Sequence, residues 1–580
     1  MKKIIYINIF LILLLVPNIF FVSAQTPYLL KKDNKTQFMV HGKPFLMLSG
    51  ELHNSSSSSI EYMNHVWKRI EPLNMNTLIV SASWDIVEAK EGVYNFNEID
   101  ELIEEARNRN MKLVLIWFAS WKNGRSTYTP EWVKINPKKY PKVVTYDGKT
   151  LDILSAFHEE NRKADERAFV ELMKHIKKVD HDNTIIMMQI QNEVGILGSE
   201  RDYSPTAENI WNSQVPEDLI HYLLQNKGKL FPELDKVWAT NGYKTNGNWE
   251  EVFGKSIYPE NYRSNQSVFR STGGRDSLYF KVYYGYTEEI FMAFNYAKYI
   301  EEIAKSGKKI HDIPMFVNAW LRSPDQSIPG RFPSGGPNPE VIDIWRAAAP
   351  SIDFIAPDIY IDEYDWALSE FTRSSNPLFI PESMLNSARA LYAFGEYDAL
   401  GFAPFGIDGI LRTTPAGLKH LSNTYNVLNN MINVITSMFG SEKMRGLMID
   451  QNNPEHTIEM DNYIITARSS SQRRAINIGQ SLEQLANENA ALARQIQETF
   501  DGGAIVLHTD ENEFIFVGYG INLQFRLKDS VNHSVFGIAS KDEGTFINNV
   551  FVPGRRLNGD ELNSGLPEQT SAMKVRFYYY

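Results

Sequence analysis

The chain has 580 residues, of which 43% are hydrophobic, 22% charged and 12% aromatic, a balance typical of a globular protein long enough for two or three domains. Its formal net charge is −11 at pH 7 and it contains no Lys/Arg-rich run, which argues against nucleic acid or anionic lipid as a partner. There is no cysteine, so disulfide scaffolds, zinc–cysteine sites, iron–sulfur clusters and cysteine nucleophiles are excluded.

The first 24 residues have the pattern of a secretory signal peptide. Two lysines form a basic start, an apolar stretch follows, and small residues precede Gln25. The alternative is a membrane anchor, but Pro17 and two asparagines interrupt an apolar run that would need about 20 residues. We therefore expect cleavage after Ala24 and export to the periplasm or the extracellular space. No later segment predicts a membrane span.

Eight short apolar runs, rich in β-branched residues, predict buried strands at 45–49, 77–81, 113–118, 184–190, 314–318, 354–359, 378–380 and 401–405. Between several of them the hydrophobic period changes to 3.6, which predicts amphipathic helices, for example at 98–107 and 164–179. Alternation of buried strands with such helices predicts a parallel sheet covered by helices. We predict an α/β fold, a (β/α)8 TIM barrel over 25–437. This count places 237–241 in a long excursion between the fourth and fifth strands.

The pattern changes after about residue 438. Strands are predicted at 457–466, 504–508, 513–518, 522–527 and 574–580, and Gly-rich turns bound several of them. One predicted helical stretch, 482–500, interrupts them, and we expect it to pack on the β domain or to serve an interface. We predict a β-rich accessory domain over 438–580.

Two glutamates follow predicted barrel strands directly. Glu193 comes after the fourth strand and Glu382 after the seventh, at the end of a TIM barrel where chemistry is found. A single carboxylate at such a position more commonly forms a salt bridge or caps a helix. Two that face one cavity are what glycoside cleavage needs, one as proton donor and one as nucleophile or base.

Aromatic residues also stand at the predicted strand ends. A sugar has flat faces of C–H bonds and a rim of hydroxyls, so its pocket combines aromatic platforms with Asn, Asp and Glu. The other interpretation is that these rings only pack in the core of a large barrel. The residues are Trp84, Trp117, Trp121, Trp320, Tyr360 and Phe405.

Several motifs carry a resemblance to a known family. The segments 49–54 (SGELHN), 113–124 (LVLIWFASWKNG), 189–198 (QIQNEVGILG), 379–383 (FIPES) and 401–408 (GFAPFGID) resemble glycoside hydrolase family 35. More narrowly, they are similar to its bacterial β-galactosidase-like branch, related to family 42, among the retaining barrel glycosidases. In that branch a small β domain follows the barrel, and 552–561 (VPGRRLNGDE) resembles its signature.

The resemblance implies roles for individual residues. Glu193 would be the general acid/base and Glu382 the nucleophile of a secreted retaining exo-β-galactosidase. Asn192 would bind the sugar 2-hydroxyl and Tyr360 would orient Glu382. The residues implied to line the sugar site are Glu51, Trp84, Trp121 and Asn318.

The chain departs from the family pattern at a few positions. Gln191 replaces an acidic residue before Asn192, while Asp85 and Ala89 replace the more usual Glu and Pro. These departures bear on the exact sugar and leave the reaction type intact. A retaining pair predicts carboxyl groups about 5–5.5 Å apart.

Other classes of function fit the sequence less well. None of the 12 histidines forms a His-Glu-x-x-His motif, and no Gly-rich segment continues into Gly-Lys-Ser/Thr, so we expect no metal and no cofactor. A non-catalytic carbohydrate-binding barrel, or the same mechanism on a β-glucoside or α-L-arabinoside, stays open. So does the oligomeric state. The expected partner is a carbohydrate substrate.

Overall fold

The structure is a computed structural model that describes residues 25–32, 35–259, 262, 281–324, 326–409, 415–469, 501–528 and 535–580. The predicted signal peptide (1–24) and the predicted helix at 482–500 lie outside the described residues. Within the described ranges, no helix combines the length and apolar character needed to cross a bilayer.

Eight parallel strands form a closed barrel in which neighbours follow chain order. We number them barrel strands 1 to 8: Met47–Glu51, Thr77–Ser83, Lys112–Lys122, Ile185–Asn192, Met315–Trp320, Phe354–Ile359, Ile380–Ser383 and Gly401–Pro404. Strand 8 pairs with strand 1 and closes the ring. The predicted (β/α)8 barrel is confirmed, and each predicted run overlaps one observed strand.

The barrel strands are buried on both faces. Every residue of Ile185–Asn192 is buried, as is every residue of Thr77–Ser83, which explains their lack of polar alternation. Helices cover the outside: Ile60–Ile70, Asn97–Asn108, Glu159–Val179, Tyr286–Ile310, Ile342–Ala348, Tyr364–Phe371, Ser387–Tyr397 and Pro415–Asn429. Glu159–Val179 buries residues at positions 164, 168, 172 and 176, the four-residue spacing of an apolar stripe.

The connection from strand 4 to strand 5 is long, as predicted. It contains the helices Pro205–Trp211, Glu217–Gln225, Pro232–Thr240 and Trp249–Phe253, so the apolar run at 237–241 lies in a helix and not in a strand. Smaller elements decorate the barrel. A three-stranded sheet (Tyr28–Lys32, Lys35–Val40 and Lys43–Pro44) precedes strand 1, and a hairpin (Lys142–Val144 and Thr150–Leu154) follows strand 3.

The C-terminal part contains two antiparallel sheets. Six strands pair in the order Met444–Ile449, Gly502–Asp510, Glu513–Tyr519, Ser571–Tyr579, Phe536–Ile547 and Val550–Arg556, and three pair in the order Glu455–Met460, Tyr463–Ser469 and Ile521–Leu527. The single strand predicted at 457–466 is a hairpin, because the backbone turns at Asp461, where φ is +48°.

Side chains of the six-stranded sheet alternate between two cores. Ile505 and Leu507 belong to the barrel core, whereas Ala504 and Val506 pack with the three-stranded sheet. The helix Ser387–Tyr397 contacts the six-stranded sheet. The six-stranded sheet therefore lies between the barrel and the three-stranded sheet.

Candidate active site

Three carboxyl groups meet at the carboxyl ends of barrel strands 4, 6 and 7. One oxygen of each of Glu193, Asp358 and Glu382 lies within 4.8 Å of the others. All three are buried, with 5%, 2% and 7% of their surface exposed. The structure therefore brings the two predicted glutamates into one small space and adds an aspartate that the sequence analysis did not single out.

The backbone at the end of strand 4 is strained. Gln191 has φ +63° and Glu193 has φ +46°, in the left-handed region that non-glycine residues rarely adopt, at a cost of about 1–3 kcal/mol each. Glu193 N donates a hydrogen bond to Asn318 Oδ1 at 2.9 Å, and Asn123 N donates to Asn192 O at 3.1 Å. These contacts hold a conformation that an isolated strand would not keep.

Asn318, on strand 5, links three groups of the site. Its Nδ2 donates to Asn192 Oδ1 at 3.1 Å and to Asp358 Oδ2 at 2.6 Å, while its Oδ1 accepts from Glu193 N. Both ends of the amide are thus engaged by protein groups. The geometry gives Asn318 a positioning role for its neighbours; a direct contact with sugar stays a prediction.

The two oxygens of Glu382 have different surroundings. Tyr360 Oη donates a hydrogen bond of 2.5 Å to Oε1. Oε2 is buried and has no hydrogen-bond partner among the described residues. Burial, followed by the Glu382 charge, raises the pKa of Tyr360, which keeps the phenol as a donor. One oxygen is therefore fixed while the other is available to a ligand.

Burial and nearby negative charge raise the pKa values of three carboxyl groups in the site. Burial, and after it the charge of Glu382, raises the pKa of Glu193 from 4.5 to about 8, with the positive charge of Lys122 acting in the opposite direction. Burial and the same charge raise the pKa of Glu51 and that of Asp358 well above their ordinary values. At neutral pH, Glu193 is therefore an acid that can donate its proton.

The remaining predicted site residues occupy different places. Glu51 ends strand 1, is 3% exposed and interacts electrostatically with Glu382. Trp84 and Trp121 have no exposed surface, and their indole N–H groups donate to Glu88 Oε2 at 2.8 Å and to Leu154 O at 3.0 Å. They present no open ring face, and their contact with a sugar stays a prediction.

Gln191, where an acidic residue was expected, is held by protein groups. Its Nε2 donates to Asp165 Oδ2 at 2.7 Å and its Oε1 accepts from Trp121 N at 3.0 Å. Burial raises the pKa of Asp165 to about 6. The amide both donates and accepts here, which an ionised carboxylate could not do.

Sequence reasoning missed three residues of the site. Asp358 stands two residues before Tyr360, so the period of a strand places both on one face, and this signal was available. Lys122 and Asn123 follow Trp121 in the quoted motif at 113–124, and nothing marked them as more than polar residues after a strand. Lys122 is 7% exposed, and its charge acts on Glu51 and Glu193.

A separate cavity of about 670 Å³ opens at the opposite end of the barrel. Its lining includes Asp353 and Pro377, which precede strands 6 and 7, together with Lys31 and Arg346. The carboxylate cluster lies at the carboxyl ends of the strands, where barrel enzymes carry out their chemistry. We therefore place the candidate active site at the cluster and not in this cavity.

Fold and site together define a class: a parallel (β/α)8 barrel with a pair of buried carboxyl groups at the ends of strands 4 and 7. The family model of glycoside hydrolase family 42, described as beta-galactosidase, matches residues 57–328, just under half of the chain. A second model, a domain of unknown function (DUF5597), matches residues 421–567. The sequence is thus similar to β-galactosidase-like glycoside hydrolases. The resemblance to family 35 is not supported, whereas the family model that matches is that of the related family 42.

The chain is also similar, at low identity, to individual proteins. Beta-galactosidase LacZ of Lactobacillus acidophilus is 26% identical over 194 residues, which cover 32% of this chain and 25% of that protein. Beta-galactosidase from Bacillus circulans sp. alkalophilus has 15% identity and a TM-score of 0.42, covering 67% of this chain and 57% of that one. A GH42 beta-galactosidase from G. stearothermophilus has 13% identity and a TM-score of 0.44, with the same coverages. The chain therefore spans a quarter of the curated relative and just over half of these solved chains.

Proposed function

We propose that this protein is an exported, retaining exo-β-galactosidase that releases terminal β-D-galactose from oligosaccharides or polysaccharide side chains. One observation carries the proposal: oxygens of Glu193 and Glu382 lie within 4.8 Å of each other in a buried site. So close an approach of single oxygens is expected of a retaining pair, whose carboxyl groups lie about 5–5.5 Å apart, whereas the carboxyl groups of an inverting pair lie about 6.5–9.5 Å apart and admit a water molecule between them.

In the first step, Glu382 attacks the anomeric carbon and the glycosidic bond breaks. Oε2 is the attacking atom, because Tyr360 holds Oε1. Glu193 donates its proton to the departing oxygen, for which its pKa of about 8 suits it at neutral pH. The products are a covalent glycosyl-enzyme and a free alcohol.

In the second step, the roles of Glu193 reverse. Glu382 is then an ester without charge, so one of the two causes that raise the pKa of Glu193 is gone. Glu193, which gave its proton to the leaving group in the first step, therefore stays ionised at neutral pH and accepts a proton from water. The activated water attacks the anomeric carbon, releases Glu382 as the carboxylate and gives a sugar with retained configuration.

The galactose specificity and the cellular location rest on similarity and sequence pattern. The matched model and the relatives above are named beta-galactosidases, which supports galactose as the released sugar. Asn192 and Glu51 are proposed to bind its hydroxyls. Export to the periplasm or the extracellular space is proposed from residues 1–24.

A panel of 4-nitrophenyl glycosides tests the function: β-D-galactoside, β-D-glucoside, β-D-xyloside and α-L-arabinoside. The proposal predicts the highest kcat/KM on the galactoside and no turnover by Glu382→Gln. A higher kcat/KM on another glycoside would refute galactose as the released sugar. Binding without turnover across the panel would indicate a carbohydrate-binding barrel, and near-native turnover by Glu382→Gln would refute the nucleophile.

A further inference from the structure

Lys122 is a largely buried residue whose ammonium group has no hydrogen-bond or ion-pair partner among the described residues. It ends strand 3, is 7% exposed, and no acceptor or carboxylate among the described residues forms a hydrogen bond or salt bridge with Nζ. Nζ lies over the Phe118 ring, 5.4 Å from its centroid. A largely buried lysine whose ammonium group finds no acceptor among the described residues contributes no hydrogen bond or ion pair to stability.

The backbone fixes Lys122 beside the carboxyl cluster. Lys122 is paired with Asn192 across strands 3 and 4, and its N–H donates to Arg125 O at 2.8 Å. The next two residues are also held at the end of strand 4. Asn123 N donates to Asn192 O at 3.1 Å, and Gly124 N donates to Glu193 O at 3.0 Å. The charge of Lys122 lowers the pKa of both Glu51 and Glu193, which shows that the ammonium lies within electrostatic range of both.

The groups around Lys122 favour a neutral ligand. Glu51, Glu193, Asp358 and Glu382 share the site, and burial keeps the first three at raised pKa values. A ligand with a carboxylate or phosphate would add negative charge next to Glu382 in a poorly solvated space. Sugar hydroxyls add none, and each can accept a hydrogen bond from a lysine.

We propose that Lys122 is a substrate-binding residue whose ammonium donates hydrogen bonds to hydroxyls of a neutral sugar bound beside Glu382. This inference rests on the proposed function and deepens it. The sugar supplies Lys122 with the hydrogen-bond acceptors that the described residues do not supply. Lys122 thus selects sugars with a hydroxyl at the contacted position.

The test compares wild type with Lys122→Met, which keeps the length of the side chain and removes the charge. kcat/KM is measured on 4-nitrophenyl β-D-galactoside and on its 3-, 4- and 6-deoxy analogues. A hydrogen bond to a charged group is worth about 10- to 100-fold in kcat/KM. We expect Lys122→Met to lose this factor on the parent substrate. One deoxy analogue should lower kcat/KM of wild type by a similar factor, because it lacks the hydroxyl that Lys122 contacts. The same analogue should lower kcat/KM of Lys122→Met by less than about three-fold, since the variant already lacks this contact.

Lys112→Met is the matched control, since Lys112 begins the same strand and bonds Asn183 O at 2.8 Å, away from the site. Lys112→Met should have the kcat/KM of wild type on the parent substrate and the same losses of kcat/KM on the deoxy analogues. The melting temperature of Lys122→Met should equal or exceed that of wild type, because the substitution removes no hydrogen bond or ion pair among the described residues. A lower melting temperature with unchanged deoxy penalties would show a structural role and overturn the proposal.

Two further results would also overturn it. Equal deoxy penalties in wild type and Lys122→Met, with only a shift of the pH profile, would mean that Lys122 acts through charge alone. A preference for the β-D-galacturonide would mean that it binds a carboxylate. If wild type hydrolyses no glycoside, the proposed reaction fails separately, and calorimetric binding of isopropyl β-D-thiogalactoside then decides: Lys122→Met must bind about 10- to 100-fold more weakly.

Discussion

Replacement of Glu193 by Gln tests the proton donor most sharply. With a pKa of about 8, Glu193 is about 90% protonated at pH 7, whereas a glutamate with the ordinary pKa of 4.5 would be about 0.3% protonated. The buried site therefore increases the fraction of usable acid about 300-fold. Gln cannot donate a proton to the leaving oxygen, and loss of general acid catalysis costs about 10²- to 10⁴-fold.

The assay is kcat/KM against pH on two substrates, because kcat/KM reports the step in which the leaving group departs. Wild type should lose activity above about pH 8 on 4-nitrophenyl β-D-galactoside. Glu193→Gln should lose this alkaline limb together with the rate. It should be impaired far less on the 2,4-dinitrophenyl galactoside, whose more acidic phenol needs little protonation.

Glu289→Gln is the control, because burial also raises the pKa of Glu289 to about 8, away from the carboxyl cluster, where Gly335 N and Ser334 Oγ donate to it. It should keep the alkaline limb. The reasoning is refuted if Glu193→Gln retains the limb, or if it loses the same factor on both substrates.

Three further predictions concern the nucleophile, stability and metals. Tyr360→Phe removes the 2.5 Å hydrogen bond to Glu382, so kcat/KM should fall about 10- to 100-fold while the melting temperature changes little; an unchanged rate would contradict the role of Tyr360. Glu193 and Glu289 have folded pKa values of about 8, above the ordinary 4.5, so the stability they contribute is present below about pH 4.5 and lost as the pH rises to about 8. Melting temperatures should fall over this range, and less steeply in Glu289→Gln; an identical slope would contradict the assignment. The raised pKa values of Glu193 and Asp358 make the cluster a poor cation ligand at pH 7, so dialysis against EDTA should leave kcat/KM unchanged, and a loss restored by a divalent cation would show a metal site.

The barrel could be predicted because its signals are local. Strands buried on both faces are continuous apolar runs, and the helices between them carry a 3.6-residue stripe, so each element can be located without its neighbours. The β domain was harder. The strands Met444–Ile449, Phe536–Ile547 and Val550–Arg556 were missed. Most residues of Phe536–Ile547 and Val550–Arg556 are exposed or half-buried, so these two strands lack a continuous apolar run.

The site could be predicted from the sequence only where the residue type itself indicates its chemistry. Glu193 and Glu382 stood out as charges directly after buried strands. The use of Asn318 as a link among three groups depends on distances across strands 4, 5 and 6, which no single segment contains. The burial of Trp84 and Trp121 likewise follows from packing around them, so a strand-end aromatic could not be assigned to the pocket or the core from sequence.

Trapping of the covalent intermediate identifies the nucleophile. The protein is incubated with 2,4-dinitrophenyl 2-deoxy-2-fluoro-β-D-galactoside, whose fluorine slows both steps while the good leaving group permits the first, and the labelled peptide is sequenced by mass spectrometry. We expect one released phenol per chain and a fluorogalactosyl ester on Glu382, with Glu193 unlabelled. A label on Asp358 or Glu51, or turnover whose first product by NMR is α-galactose, would contradict it.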